Sequence, residues 1–286
     1  MSWKILRILT TNSCNYRCVY CHNEGQSFSF AKKQLSLLQL KKIIQKITNT
    51  EIQEIRFSGG EPLSNNATID MIEWVDKNTD YEVGLATNGS LVTEPLVIRL
   101  AKTRVMVTLH LPAMQSRNYY NVTGCDIQKL KKCIELFDKY NINYSFNYVL
   151  YPNTIDNLDD VINYSINHKK RIKLLPYIER DFKKFSSEII KQINIKMKNF
   201  ECVKKYDNIN GITWWTFSND AVIKMIDSPC YSRDIHKCRN YAEIRLLPDL
   251  NLQSCIFGDY SILDNVDDIS KKMEELWDKF NACPKL

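Results

Sequence analysis

Over the first two thirds of the chain, short β-branched and apolar runs alternate with longer amphipathic stretches. The runs at 4–11, 54–58, 82–87, 104–109, 143–150 and 171–175 read as strands, with apolar residues at every second position in Ile55 and Phe57 or in Val105, Val107 and Leu109. The amphipathic stretches at 36–48, 67–77, 94–101, 127–139 and 157–167 read as helices between them. Six βα units of this kind predict an α/β fold whose parallel sheet has helices outside. An incomplete α/β barrel and a doubly wound sheet share the pattern. In both, ligands bind beyond the carboxyl ends of the strands.

The polar and glycine-containing features fall at that edge. Cys14 follows the first strand, Ser58-Gly59-Gly60-Glu61-Pro62 the second and Thr87-Asn88-Gly89 the third. Thr108-Leu109-His110 ends the fourth strand, and Asn147 lies in the fifth. One shared site explains five such features better than five separate turns do. After Tyr177 the pattern changes. The stretch 182–198 is Lys-rich and predicted helical, 210–226 reads as short strands carrying Trp214 and Trp215, and the remainder holds Cys230, Cys238, Cys255 and Cys283. The expected division is a large domain, 1–205, and a small one, 206–286.

Composition narrows the class. With 286 residues, 44% hydrophobic and 25% charged, the chain can bury a core without disulfides. No window approaches the ~18 apolar residues of a membrane span, and Met-Ser-Trp-Lys-Ile-Leu-Arg is not followed by a secretory apolar region. A cytoplasmic, reducing location is therefore expected, and the ten cysteines read as metal ligands or redox groups rather than disulfides. The net charge of +6 fits a solvated lysine-rich surface or an anionic substrate. The basic stretch around Lys191, Lys196 and Lys198 lacks interleaved aromatics, so nucleic acid is not an expected partner.

Cys14-Asn15-Tyr16-Arg17-Cys18-Val19-Tyr20-Cys21 puts three thiols in one loop. Thiolates suit iron–sulfur clusters or zinc. Structural zinc takes four closed ligands, so three cysteines favour a cluster with one open iron. The alternative is zinc completed by the adjacent His22, a strained arrangement, or three unrelated buried cysteines. The chain has only 8 glycines, below the usual ~7%, yet two stand together at Gly59-Gly60.

The spacing Cys-x3-Cys-x-Tyr-Cys resembles the signature of the radical S-adenosylmethionine (SAM) superfamily. The resemblance implies a partial (β/α)6 barrel with a small C-terminal auxiliary-cluster domain. It implies that Cys14, Cys18 and Cys21 bind a [4Fe–4S] cluster whose fourth iron chelates SAM, that reductive cleavage yields a 5′-deoxyadenosyl radical, and that this radical abstracts a substrate hydrogen. Tyr20, Gly59, Gly60, Glu61, Thr87, Asn88, Thr108, Asn147 and Leu174 are the implied cofactor contacts, with the glycines allowing close approach and Glu61 accepting from the methionine ammonium. A low-potential reductant such as flavodoxin or ferredoxin is the implied electron donor.

Within the superfamily the chain is similar to the GTP 3′,8-cyclase branch. The matches are Arg7-Ile8-Leu9-Thr10, Cys21-His22-Asn23-Glu24-Gly25, Ile55-Arg56-Phe57, Val107-Thr108-Leu109-His110, Val122-Thr123-Gly124, and Arg245 ahead of Cys255-Ile256-Phe257. That likeness implies a second [4Fe–4S] cluster on Cys230, Cys238 and Cys255, with Cys283 closing it if it is of the four-cysteine kind; buried thiols or zinc are the alternatives. Cys125, Cys133 and Cys202 match nothing and read as packing residues. The branch's triphosphate-gripping cations are altered: Glu54 and Ser145 stand for lysines and Glu243 for an arginine, while Arg7, Arg56 and Arg245 remain as a candidate clamp for a smaller anion or as salt-bridge partners. The C-terminal Gly-Gly of the branch is replaced by Pro284-Lys285-Leu286, and no N-terminal peptide-binding extension is seen. A small, nucleotide-derived metabolite is the expected substrate. A ribosomal peptide, a divergent GTP cyclase, or a non-catalytic iron–sulfur electron-transfer or sensor protein are the alternatives.

Overall fold

The computed structural model describes residues 2–21, 32–177, 183–226, 234–258 and 260–283, without the side chains of 153 and 183–187. Eleven described strands form one sheet: β1 (Ile5–Leu9), β2 (Glu54–Ser58), β3 (Glu82–Thr87), β4 (Met106–His110), β5 (Tyr144–Leu150), β6 (Arg171–Pro176), β7 (Val203–Asp207), β8 (Ile212–Thr216), β9 (Val222–Ile226), β10 (Glu243–Leu246) and β11 (Leu252–Gln253). Their order is β11-β10-β1-β2-β3-β4-β5-β6-β9-β8-β7. Strands β1 to β6 are parallel and follow one another in sequence order. A doubly wound sheet would reverse its order at a switch point, so the barrel alternative is the one realised, and its ends do not pair. The helices are α1 (Leu37–Ile47), α2 (Thr68–Asn78), α3 (Glu94–Leu100), α4 (Ser116–Thr123), α5 (Gln128–Lys139), α6 (Leu158–Asn167), α7 (Lys183–Lys196), α8 (Ile235–Tyr241) and α9 (Ile269–Lys279).

Local chemistry explains these elements. Ser36 and Gln39 form a reciprocal capping box that starts α1, whose Leu40, Ile43, Ile44 and Ile47 make one buried stripe. In α5 the equivalent stripe is Leu130, Cys133, Ile134 and Phe137, which accounts for Cys133 as a core residue. The start of β4 is two residues later than predicted, because Arg104 is turned out to Asp76, with Nε at 2.9 Å from Oδ1. The helix α4 was not foreseen: Ser-Arg-Asn-Tyr-Tyr-Asn-Val-Thr buries only Tyr119, Val122 and Thr123, too few for an amphipathic pattern. Strands β7, β10 and β11 and helices α8 and α9 were not foreseen either.

Strands β3 to β6 alternate throughout, and β1 and β2 do so up to their last residue. In β5, Tyr144, Phe146, Tyr148 and Leu150 are buried, and Ser145, Asn147 and Val149 are half-buried on the other face. The first set packs under the helices and the second faces the interior of the curled sheet. Curling also explains an electrostatic fact. Lys173 on β6 feels Arg7 on β1 and Arg56 on β2, although a flat sheet would hold β1 and β6 roughly 24 Å apart.

The C-terminal third is joined to this sheet at both edges: β9 pairs with β6 and β10 with β1, each in parallel. The expected boundary at 205/206 falls inside β7. No described helix is long and apolar enough to cross a membrane.

Candidate active site

The cysteine loop leaves β1 and is held on three sides. On one, Gly60 N donates to Thr11 O at 2.9 Å and Glu61 N to Ser13 O at 2.8 Å. On the second, Asn88 Nδ2 donates to Asn15 Oδ1 at 3.0 Å, and Asn15 Nδ2 to Ser90 Oγ at 2.7 Å. On the third, Arg17 N and Val19 N donate to Thr123 O and Val122 O at the end of α4. That gives Val122-Thr123-Gly124 a concrete role: it docks the loop that carries the thiols.

The glycine pair serves the same end. Gly59 has φ +141°, and a Cβ there would lie 2.6 Å from Thr11 O; at Gly60 it would lie 2.1 Å from Ser13 O. The close approach is therefore to the first residues of the cysteine loop. Glu61 is also committed within the protein. It is 1% exposed, and its carboxylate accepts from Leu63 N at 3.0 Å, Thr87 Oγ1 at 2.6 Å and Asn88 N at 2.8 Å. Burial pushes its carboxyl above the ordinary range, against the pull of those three donors. Glu61, Thr87 and Asn88 thus form a strut between the loops after β2 and β3. The geometry does not present the Glu61 carboxylate to a ligand ammonium.

Cys14 and Cys18 are half-buried and Cys21 is exposed. Burial and then the neighbouring thiols push Cys18 up to about 12. Burial also raises Cys14, where Glu61 and Cys21 add to the effect. Buried thiols that also sit close to one another fit a cationic centre that offsets their charge. Among the described residues, no set of three or more His, Cys, Asp or Glu is arranged to hold a metal ion directly. His22 lies outside the described residues, as do Asn23, Glu24 and Gly25.

Beyond the loop, Tyr20 is buried beside His110 and shares a hydrogen bond with its Nε2. Burial holds His110 down at about 4 and Tyr20 well above its usual range, so both are neutral. Tyr151 packs edge-on to Tyr20 at 5.9 Å and to Tyr177 at 4.9 Å. Thr108 Oγ1 lies 3.5 Å from Ser145 Oγ. Asn147 Oδ1 is buried with no hydrogen-bond partner, an acceptor that fits a hydroxyl- or amine-bearing ligand. Leu174 corrects an expectation. It is fully buried on the helix side of β6, while Lys173 and Leu175 take the interior positions. One residue of register separates the two faces.

The three arginines are placed together but are not an open clamp. Arg7 holds Glu243 with both arms of its fork, at 2.7 and 2.9 Å. Arg56 holds Glu54 at 2.5 and 2.7 Å and reaches Glu243 at 3.2 Å and Tyr241 OH at 2.8 Å. Burial alone would raise the Glu243 carboxyl; Arg7, Arg56 and Arg245 outweigh it and hold it at about 2. The two acids that replace cations of the cyclase pattern are the partners of the arginines that survive. Lys173 and Lys224 had not been singled out as interior groups for the site. A lysine in the middle of an apolar strand, at interior parity, was the signal available in β6 and β9.

The C-terminal cysteines are partly gathered. Burial raises the Cys255 thiol, the Cys283 thiol adds to that rise, and Arg245 pulls the other way. Cys238 lies on α8. Cys230 is outside the described residues.

Residues 8–164 match the model of the Radical SAM superfamily. The match spans more than half the chain, which belongs to that superfamily and is an enzyme of the radical SAM type. A probable GTP 3′,8-cyclase of Methanococcus aeolicus is 26% identical, covering 94% of this chain and 92% of the relative. The radical SAM cyclopropyl synthase TigE of Paramaledivibacter caminithermalis is 28% identical, covering 58% of this chain and 39% of the relative. Among solved structures, Streptococcus suis SuiB bound to precursor peptide SuiA aligns with TM-score 0.72 at 13% identity, covering 94% of this chain and 65% of SuiB. The anSMEcpe structure with bound AdoMet aligns with TM-score 0.64 at 17% identity, covering 94% of this chain and 80% of that one. The superfamily implies a [4Fe–4S] cluster and SAM as cofactors. The three-thiol loop and the unpartnered Asn147 acceptor fit them.

Proposed function

We propose that this chain holds a [4Fe–4S] cluster on Cys14, Cys18 and Cys21 and acts on a small anionic metabolite in the barrel interior, rearranging, cyclising or oxidising it. When bound, the cluster and SAM supply the 5′-deoxyadenosyl radical that takes the substrate hydrogen. The chain's own groups set the geometry. Glu61 fixes the cysteine-loop support against the loop after β3. Tyr20, His110 and Tyr151 wall the interior next to the thiols, and burial keeps Tyr20 and His110 neutral there. Asn147 offers a fixed acceptor for the cofactor. A second cluster on Cys230, Cys238, Cys255 and Cys283 belongs to this reading, supported by the Cys283 thiol and the Arg245 guanidinium both acting on Cys255. A low-potential reductant completes the system.

The observation that carries the substrate class is the pairing of Arg7 with Glu243 and of Arg56 with Glu54. With both forks occupied, a nucleoside triphosphate meets two carboxylates where the cyclase pattern has cations. A peptide is the second reading, favoured by the outer edge of β7, which pairs with no other described strand and is mostly exposed. The test is anaerobic. Reconstituted protein given SAM and dithionite is expected to form 5′-deoxyadenosine, and the Cys18→Ala variant none. GTP is expected neither to speed that formation nor to yield a cyclised product. No 5′-deoxyadenosine from protein with its iron and sulfide loaded would refute the reading, and a cyclised GTP product would replace the substrate class.

A further inference from the structure

Two lysines of the barrel interior have no part in the proposed function. Strand β6 reads Arg-Ile-Lys-Leu-Leu-Pro and β9 reads Val-Ile-Lys-Met-Ile, each with one lysine at an interior position. The strands are parallel neighbours, and Lys173 is the direct register partner of Lys224. Adjacent strands lie about 4.8 Å apart, and like charges placed directly opposite are destabilising. Yet neither lysine has an ion pair or a hydrogen bond to another described residue. Burial, the first cause, and then Arg56, Lys224 and Arg7 push Lys173 down to about 8, with Glu243 opposing. Burial and then Arg56 also lower Lys224.

The nearest acids do not relieve them. Glu243 and Glu54 are committed to Arg7 and Arg56. Two carboxylates therefore serve an interior that carries Arg7, Arg56, Arg245, Lys173 and Lys224 among the described residues. A lysine with only a structural role would be paired, or would carry its ammonium out to water. These two face each other inside the barrel with no carboxylate paired to either, and Glu243, which acts on Lys173, is held by Arg7 and Arg56.

Their surroundings have the form of a binding site. Lys224 lies over the ring of Trp214, its register partner on β8, at 5.7 Å from the centroid. On the other side the register partner of Lys173 is Asn147, whose partner on β4 is His110. One row thus runs His110, Asn147, Lys173, Lys224, Trp214, from the wall beside the cysteine loop to an aromatic face. From Lys224 to His110 it crosses three strand spacings, roughly 14 Å.

We propose that Lys173 and Lys224 form a subsite for one anionic oxygen group of the substrate, a carboxylate or a phosphate ester, with Trp214 as its wall. The proposal rests on the reading that the barrel interior is the substrate chamber, and it deepens that reading by naming how the substrate is held. An anion bound between the two ammoniums removes their mutual repulsion. It also anchors a metabolite that extends along the row toward His110. The subsite uses point-charge lysines, whereas the arginine forks on the opposite wall are closed by glutamates.

The test uses the full chain, anaerobically reconstituted, with inorganic phosphate and acetate as separate probes in thermal melts at ionic strength matched with chloride. Phosphate or acetate is expected to raise the melting temperature saturably, and the one that does so at lower concentration identifies the group. In Lys173→Met and in Lys224→Met, the half-saturating concentration is expected to rise at least tenfold. In chloride alone, both variants are expected to melt above the wild type, because one of two opposed charges is gone. Lys224→Arg is expected to keep the anion response. An unchanged response in both methionine variants would overturn the proposal. So would variants that fold, respond normally and melt below the wild type, since the lysines would then be structural. If the variants do not fold, loss of the wild-type anion response on adding Lys224→Arg, or its absence in the wild type, overturns the proposal in their place. The 5′-deoxyadenosine assay is read separately. SAM cleavage without anion binding removes only the subsite, and anion binding without SAM cleavage removes only the radical reading.

Discussion

The interior of this barrel has two walls of like charge type and opposite design. On the β10-β1-β2 wall, Arg7 and Arg56 are locked by Glu243 and Glu54, and Glu243 is shared between both arginines. On the β6-β9 wall, Lys173 and Lys224 oppose each other across one strand spacing with no ion pair to a described carboxylate. Compensated cations hold strands together and leave little for a ligand. Uncompensated ones cost stability and leave affinity for whatever anion arrives. The contrast shows why counting surviving basic residues misplaces the binding function: what matters is which of them still lack a carboxylate.

The largest expected effect comes from stripping the shared carboxylate. Glu243→Gln leaves Arg7 and part of Arg56 buried without their counter-charge, and is expected to cost about 3 kcal/mol in urea unfolding. Its pH signature follows from the depressed carboxyl. Held at about 2 in the fold against an ordinary 4.5, the group contributes stability above about pH 4.5 and loses it as pH falls toward 2. Wild type and variant should therefore converge on acidification, and a gap unchanged down to pH 3 would break the compensated-wall description. A smaller effect is expected for Glu54→Gln, about 1.5 kcal/mol, because Arg56 keeps Glu243 and Tyr241. Equal losses in the two variants would mean that Glu243 is not the shared group. A further effect lies on the alkaline side. Lys173 at about 8 against an ordinary 10.5 means that the unfolded chain binds more protons between those values. Wild-type stability should gain a contribution as pH rises through that window, and this gain should be missing from Lys173→Met.

Much of the architecture was legible in the chain. The alternation in β1 to β6 gave the parallel sheet, because the interior of an open barrel is polar and each strand shows period two. The thiol spacing of Cys14, Cys18 and Cys21 gave the family, and the glycine pair lies against the residues that lead into Cys14. The roles were less legible. Glu61 reads as an acceptor for a ligand ammonium until Thr87, Asn88 and Leu63 are seen to surround it. Leu174 was misplaced by a single residue of strand parity, which turns a side chain from the chamber to the core. Glu243 stands more than two hundred residues from Arg7, and only the pairing of β10 with β1 brings them together. That pairing could not be read from a four-residue strand.

The two walls can be compared in one melt. Lys173→Met and Glu243→Gln each remove one formal charge from the same interior, in opposite settings. Measured side by side at pH 7 in chloride buffer, the lysine variant is expected to melt above the wild type and the glutamate variant below it. If both melt below the wild type by similar amounts, the lysines are as well compensated as the arginines, and the division of the interior into a locked wall and an open one is wrong.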